Sequence, residues 1–169
     1  NNTAVDSGGG IYLYDTTTLV ASNLSIANNE ARYGGGLWSD QNNVVSLTDC
    51  TLQGNHANGL NFDTGDPRGD GGGIHASGSS ILTVTGGSCI VNTAVDAGGG
   101  IALWNGCTLN ASGWNVANNE ARYGGGLWSS QNNVVSLIDC TVQGNHANGL
   151  DFETGDPTGD GGGIACYNN

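Results

Sequence analysis

The sequence predicts an all-β chain, folded as a right-handed parallel β-helix: a three-sheet solenoid of about six coils with an asparagine ladder. Three observations predict it. A block of about 90 residues is written twice, and Asn28 to Ile74 differs from Asn118 to Ile164 at only six positions: Asp40/Ser130, Thr48/Ile138, Leu52/Val142, Asn61/Asp151, Asp63/Glu153 and Arg68/Thr158. Inside each block a finer unit recurs. Gly-Gly-Gly followed by Ile or Leu ends at Ile11, Leu37, Ile74, Ile101, Leu127 and Ile164, and Asn-x-Ala starts at Asn2, Asn29, Asn55, Asn92, Asn119 and Asn145. These asparagines are spaced by 27, 26, 37, 27 and 26 residues, the length of one solenoid coil with a loop inserted in the longest. The third observation is composition. With 31 glycines, no lysine or methionine and much Asn, Ser and Thr, the chain is poor helix material. Short runs such as Asn42 to Cys50 alternate apolar and polar residues between turn formers, as strands do.

Residues 1–169 therefore read as a single domain with an internal duplication, about 2–91 and 92–169, the second copy incomplete. The inserted loops fall at about 58–70 and 148–160. Aligning coils on the asparagines assigns the core. The first strand of each coil sends inward the residue after the triglycine, then Leu13, Ser39, Ala76, Leu103, Ser129 and Cys166. The second sends in Leu19, Val45, Leu82, Leu109 and Val135, followed by Ala21, Leu47, Val84, Ala111 and Leu137. The third stacks Leu24, Cys50, Gly87, Trp114 and Cys140, then Ile26, Leu52, Cys89, Val116 and Val142. In this register Cys50, Cys89, Cys140 and Cys166 point inward as small hydrophobes, whereas Cys107 sits at a corner and is expected to be more accessible. Each coil must turn at the same place, and a left-handed turn residue favours Gly or Asn. The six asparagines are thus expected to share one corner, about 4.8 Å apart, with their amides bonded along the stack.

On these paired signatures the chain resembles the polymorphic outer membrane protein repeats, whose motifs are Gly-Gly-Ala-Ile and Phe-x-x-Asn. More broadly it resembles the β-helix passenger domains of autotransporters and adhesins. It has Gly where that pattern has Ala, and Ile, Leu, Cys or Val in place of Phe. The resemblance implies a secreted or surface-displayed solenoid used for adhesion or as a stalk.

Charge narrows the partners. A net charge of −12 with only Arg32, Arg68 and Arg122 positive leaves nothing to neutralise phosphates, which excludes nucleic acid and anionic membrane surfaces. No apolar run is long enough to span a bilayer as a helix. Sequons at Asn1, Asn23 and Asn110 permit glycosylation on a secretory route, and acidity without lysine suits an extracellular or cell-surface location. The chain enters and leaves in mid-coil, so the expected partner is more of the same: end-to-end self-association or covalent continuation of the repeats.

Four groups of residues are candidates for chemistry. Asp63, Asp66 and Asp70, matched by Asp151, Glu153, Asp156 and Asp160, offer oxygen ligands among glycines, as Ca²⁺ requires; the alternative is a solvated acidic loop. No other cofactor is expected. Arg68-Gly69-Asp70 spells an integrin-type motif, but the second copy reads Thr158-Gly159-Asp160, so nothing in the loop requires the arginine. The pectate lyase and polygalacturonase group shares the predicted architecture, and His75 beside Asp70 invites comparison with its active sites. The second copy has Ala165 at that position and the chain has no lysine, so no enzyme is expected. The fourth group is aromatic: Tyr12, Tyr14, Trp38, Trp104, Trp128 and Tyr167 fall on the outward positions of the first strands, where they mark an interface with protein or glycan unless Phe62 or Phe152 folds over them. A Ser/Thr-rich second-strand face, interrupted by Val20 and Ile138, is a hydrophilic face with a weaker likeness to ice-binding arrays. The sequence thus supports an extracellular structural or adhesive module, with a carbohydrate-binding or polysaccharide-degrading β-helix as the alternative and ice binding a distant third.

Overall fold

The computed structural model describes residues 1–59, 68–149 and 159–168. Among them every strand pairs in parallel with its counterpart one coil away, and no helix is present. The first sheet stacks six strands, Ile11–Tyr14, Leu37–Asp40, Ile74–Ala76, Ile101–Trp104, Leu127–Ser130 and Ile164–Tyr167. The second stacks five: Thr18–Ser22, Val44–Thr48, Ile81–Thr85, Thr108–Ser112 and Val134–Ile138. The third also has five, Ser25–Ala27, Thr51–Gln53, Ser88–Ile90, Asn115–Ala117 and Thr141–Gln143. The solenoid therefore makes about five turns and not six, because the last coil contributes only its first strand. A fourth, short ladder of two-residue strands accompanies the three sheets: Glu30–Ala31, His56–Ala57, Thr93–Ala94, Glu120–Ala121 and His146–Ala147.

Local backbone chemistry explains why each coil closes. Between the first and second sheets two consecutive residues take the left-handed conformation, for example Gln41 and Asn42 at φ 66° and 59°. Between the second and third a single residue does so in four coils, among them Asn23, Asp49 and Asp139 at 54°, 51° and 52°, and the pair Gly86 and Gly87 in the fifth. At the ladder corner the left-handed residue is the one before each ladder asparagine: Asn28, Gly54, Val91, Asn118 and Gly144, with φ from 54° to 62°. This corrects the expectation that the ladder asparagines themselves supply the left-handed turn. Their own backbone stays with the strands, which frees the side chain to bond along the axis.

The triglycine answers three separate demands. Its first residue has positive φ in every coil, from 55° at Gly124 to 67° at Gly8. A Cβ on the second, taking Gly35, would lie 2.5 Å from the His56 carbonyl oxygen. On the third, taking Gly36, it would lie 2.5 Å from the Gly73 oxygen and 3.0 Å from the Asn55 amide nitrogen. No methyl fits there, which is why Gly stands where the resembling repeats carry Ala. The alanine of Asn-x-Ala belongs to the same narrow corner: Ala57, Ala94 and Ala121 form a small buried cluster of their own.

The predicted inward stacks form the core. Leu37, Ile74, Ile101, Leu82, Leu109 and Leu52 are fully buried, and each such side chain contributes about 1.5–3 kcal/mol on leaving water. Trp114 is likewise buried, and at the matching position one coil earlier Gly87 has no room for a side chain, since a Cβ there would lie 2.1 Å from the Cys50 carbonyl oxygen. Two cysteine expectations are corrected. Cys107 is fully buried, with its thiol 3.2 Å from the Trp104 carbonyl oxygen, because its corner packs inward. Cys166 is exposed and Cys140 half-buried, although Cys140 still packs against the core as expected.

Candidate functional site

The asparagine ladder is continuous. Nδ2 of Asn2 donates to Oδ1 of Asn29 at 2.9 Å, Asn29 to Asn55 at 2.9 Å, Asn55 to Asn92 at 3.0 Å, Asn92 to Asn119 at 3.0 Å and Asn119 to Asn145 at 2.9 Å. Each acceptor oxygen also takes the backbone N–H of the same donor residue, at 2.9 to 3.0 Å. The second amide proton goes back one coil, from Asn55 to the Ile26 carbonyl at 2.9 Å and from Asn92 to that of Leu52 at 3.0 Å. In Asn55, Asn92 and Asn119 every donor and acceptor of the ladder amide is thereby used, as burial requires.

A second polar corner was not legible as such. Asn43 and Asn133 are buried; Oδ1 of each accepts a backbone N–H from the neighbouring coil, Thr17 and Cys107, both at 2.7 Å. Their amide nitrogens reach the carbonyls of Leu13 and Leu103 and the hydroxyls of Ser39 and Ser129, the latter two at 3.2 Å. This explains two serines on an otherwise apolar inward stack. The paired Asn-Asn of "QNN" in both copies was the available signal.

The outer face of the first sheet gathers the aromatic candidates. Tyr12 and Trp38 stack with centroids 4.7 Å apart and planes 9° from parallel, while Tyr14 lies 6.3 Å from Trp38 at 11°. The column continues to His75, 6.4 Å from Trp38 at 10°. Towards the other end Trp128 stacks on Tyr167 at 6.4 Å and tilts against Trp104 at 6.1 Å. Tyr12, Tyr14 and Tyr167 are 55%, 48% and 61% exposed, and the three tryptophans are half-buried. The middle of the face is not open: His75, Ser77, Ala102 and Ser130 point outward by register yet are buried. Alternation along the strands places these four residues outward, and of the two expectations for this face, open interface or covered surface, its middle meets the second. Phe62 and Phe152, its proposed covers, lie outside the described residues.

Beside this face, at the triglycine corner, sit the charged groups. Arg32 lies 3.8 Å from Asp6 and over the Tyr33 ring at 5.1 Å; Arg122 repeats the arrangement with Asp96 at 3.8 Å and Tyr123 at 4.8 Å. Between them Asp70 is buried, and its carboxylate accepts the backbone N–H of Ala97 at 3.1 Å. Burial, and secondarily the charge of Asp96, push the Asp70 carboxyl well above its ordinary range; burial also raises Asp96, against the pull of Arg122 and Arg68. Burial holds His75 neutral, lowering it to about 4.

The geometry bears on each remaining candidate. Asp70, the acid of the Arg-Gly-Asp triplet, is turned inside and does not offer its carboxylate to a receptor. Of the calcium candidates only Asp70 and Asp160 are described, the first buried and the second exposed; Asp63, Asp66, Asp151, Glu153 and Asp156 lie outside the described residues. Among the described residues no group of three or more His, Cys, Asp or Glu is placed to hold a metal. The sequon asparagines Asn1, Asn23 and Asn110 are all exposed.

Neither the curated proteins nor the solved structures hold a significant match to the chain. A family model does match: that of the right-handed β-helix region, over residues 1–169. With the parallel coils, the closed ladder and this full-length match, the chain belongs to the right-handed β-helix family.

Proposed function

We propose that the chain is an extracellular structural and adhesive module, a rigid β-helical rod that displays the aromatic column of its first sheet to glycans. The observation that carries this reading is the Tyr12–Tyr14–Trp38 cluster, three near-parallel rings held on consecutive coils and partly open to solvent. Rings fixed by a backbone ladder lose little entropy on contact, and their faces and edges suit the apolar C–H surfaces of sugars. The interior is filled by side chains and the ladder, so the rod is stiff. Each coil presents the next with the same donors and acceptors, so a further coil, in the same chain or from a second copy, extends the rod without new chemistry.

Glycan-array binding by the native chain, compared with a Tyr12→Ala/Trp38→Ala double variant, tests the adhesive part. Binding that disappears in the variant supports the reading. Binding that survives, or turnover of an acidic polysaccharide by the native chain, would favour the polysaccharide-degrading alternative instead.

A further inference from the structure

We propose that the outer face of the second sheet is an ice-binding surface. The register places its outward side chains in three straight columns, one of them Thr18, Val44, Ile81, Thr108 and Val134, every member β-branched. The other two run from Val20 to Ser136 and from Ser22 to Ile138. All fifteen positions are uncharged in a chain whose net charge is −12, and none carries an aromatic ring, glycine or proline. Asp15, Asp49 and Asp139 sit on the turns that border the face and stay in water.

Exposure on this face is unusual for its chemistry. Val20, Val134 and Ile138 are 77%, 59% and 60% exposed, and Val44 and Ile81 are also open to solvent. The face measures roughly 400 Å² from strand spacing and rise, about half of the ~800 Å² per partner typical of a stable protein complex. Its chemistry therefore suits a ligand that is itself flat, neutral and periodic. Hydroxyls and methyls, with the single amide of Asn110 among them, are set out on a grid of about 4.8 Å between strands and about 6.6 Å along them. The first of these repeats lies close to that of the oxygen rows in hexagonal ice. Methyl groups restrict the orientation of first-shell water and hydroxyls anchor it, so a rigid grid of both imposes a fixed pattern on that water. The three central strands, Val44–Thr48, Ile81–Thr85 and Thr108–Ser112, cannot adjust away from the grid, because each is bonded on both sides and its inward residues are buried in the core. The third sheet offers no equal: its strands are three residues long and carry Gln53, Gln143 and Asn115 outward.

The test is ice recrystallisation inhibition and thermal hysteresis, measured on the native chain and on Thr83→Lys at the centre of the face. Gln53→Lys on the third sheet serves as the control, and thermal unfolding confirms that all three fold alike. The proposal requires arrested crystal growth with the native chain and the control, and its loss to the buffer level in Thr83→Lys. A native chain indistinguishable from buffer overturns it, as does full activity in Thr83→Lys. Concentration-dependent dimerisation of the native chain, abolished in Thr83→Lys and without arrest of ice growth, would assign the face to a second copy and likewise overturn it.

Discussion

Oδ1 of Asn55 accepts two hydrogen bonds from Asn29, one from its side-chain amide at 2.9 Å and one from its backbone N–H at 3.0 Å. The Asn55 amide in turn donates to Asn92 and to the Ile26 carbonyl. Removing this one side chain, as in Asn55→Ala, strands two buried donors and one buried acceptor. Unsatisfied buried groups cost about 1–3 kcal/mol each, so the variant is expected to lose about 3–5 kcal/mol in denaturant unfolding. Asn2→Ala, at the exposed end of the ladder, is the comparison and loses far less.

Val91 occupies the left-handed corner position at φ 57°, where the other coils carry Asn or Gly. For a β-branched residue this conformation is strained by roughly 1–2 kcal/mol. Val91 is half exposed, so little burial is forfeited on replacing it. Val91→Asn is expected to raise stability by about 1 kcal/mol, seen as a higher unfolding midpoint. A lower midpoint would mean that the valine makes packing contacts worth more than its backbone strain.

Asp70 gives the stability a pH dependence whose sign can be worked out. Its folded carboxyl is raised above the ordinary value, so the folded chain holds the proton more tightly than the unfolded one. Stability from this group therefore increases as pH falls through the raised folded value, and levels off below the ordinary carboxylate range. His75 acts oppositely: lowered to about 4, it costs stability as pH falls from about 6.5 towards 4, where the unfolded imidazole is protonated and the buried one is not. The two are separated by Asp70→Asn, which keeps an oxygen for the Ala97 N–H. Asp70→Asn is expected to be more stable than the native chain at neutral pH, with the difference shrinking on acidification. A constant difference across the range would show that the Asp70 carboxyl titrates alike in the folded and unfolded chains, contrary to the raised folded value.

The thiols should divide by coil. Cys50, Cys89 and Cys107 are buried, and burial pushes Cys89 and Cys107 up to about 12 and about 11. Thiolate is the reactive form. A thiol reagent at neutral pH is expected to modify Cys166 first and Cys140 next, and to reach the other three only on unfolding, as resolved by peptide mass spectrometry.

Much of this architecture was legible because a solenoid repeats its instructions. The spacing of Asn29, Asn55 and Asn92 stated the register, and Leu37, Val45 and Leu52 then fell on the inward face by alternation. What stayed hidden depends on neighbours one coil away. Val91 as a left-handed residue contradicts its own propensity, and only the coils above and below dictate it. Asn43 reads as another turn asparagine until Ser39 and the Leu13 carbonyl are brought against it. His75 and Ala102 are outward by pattern and buried by their surroundings, which alternation along a strand does not report. The candidate site was legible as a row of rings, but not as a column whose centre is closed.

The most direct test of the stacked-coil account is hydrogen exchange of the asparagine side-chain amides, followed by NMR on the assigned chain. The ladder predicts that the amides of Asn29, Asn55, Asn92 and Asn119 exchange far more slowly than those of Asn42 and Asn132, which are exposed turn residues. Ladder amides exchanging at the rate of Asn42 and Asn132 would contradict the stack, and with it the register on which every assignment of inward and outward faces depends.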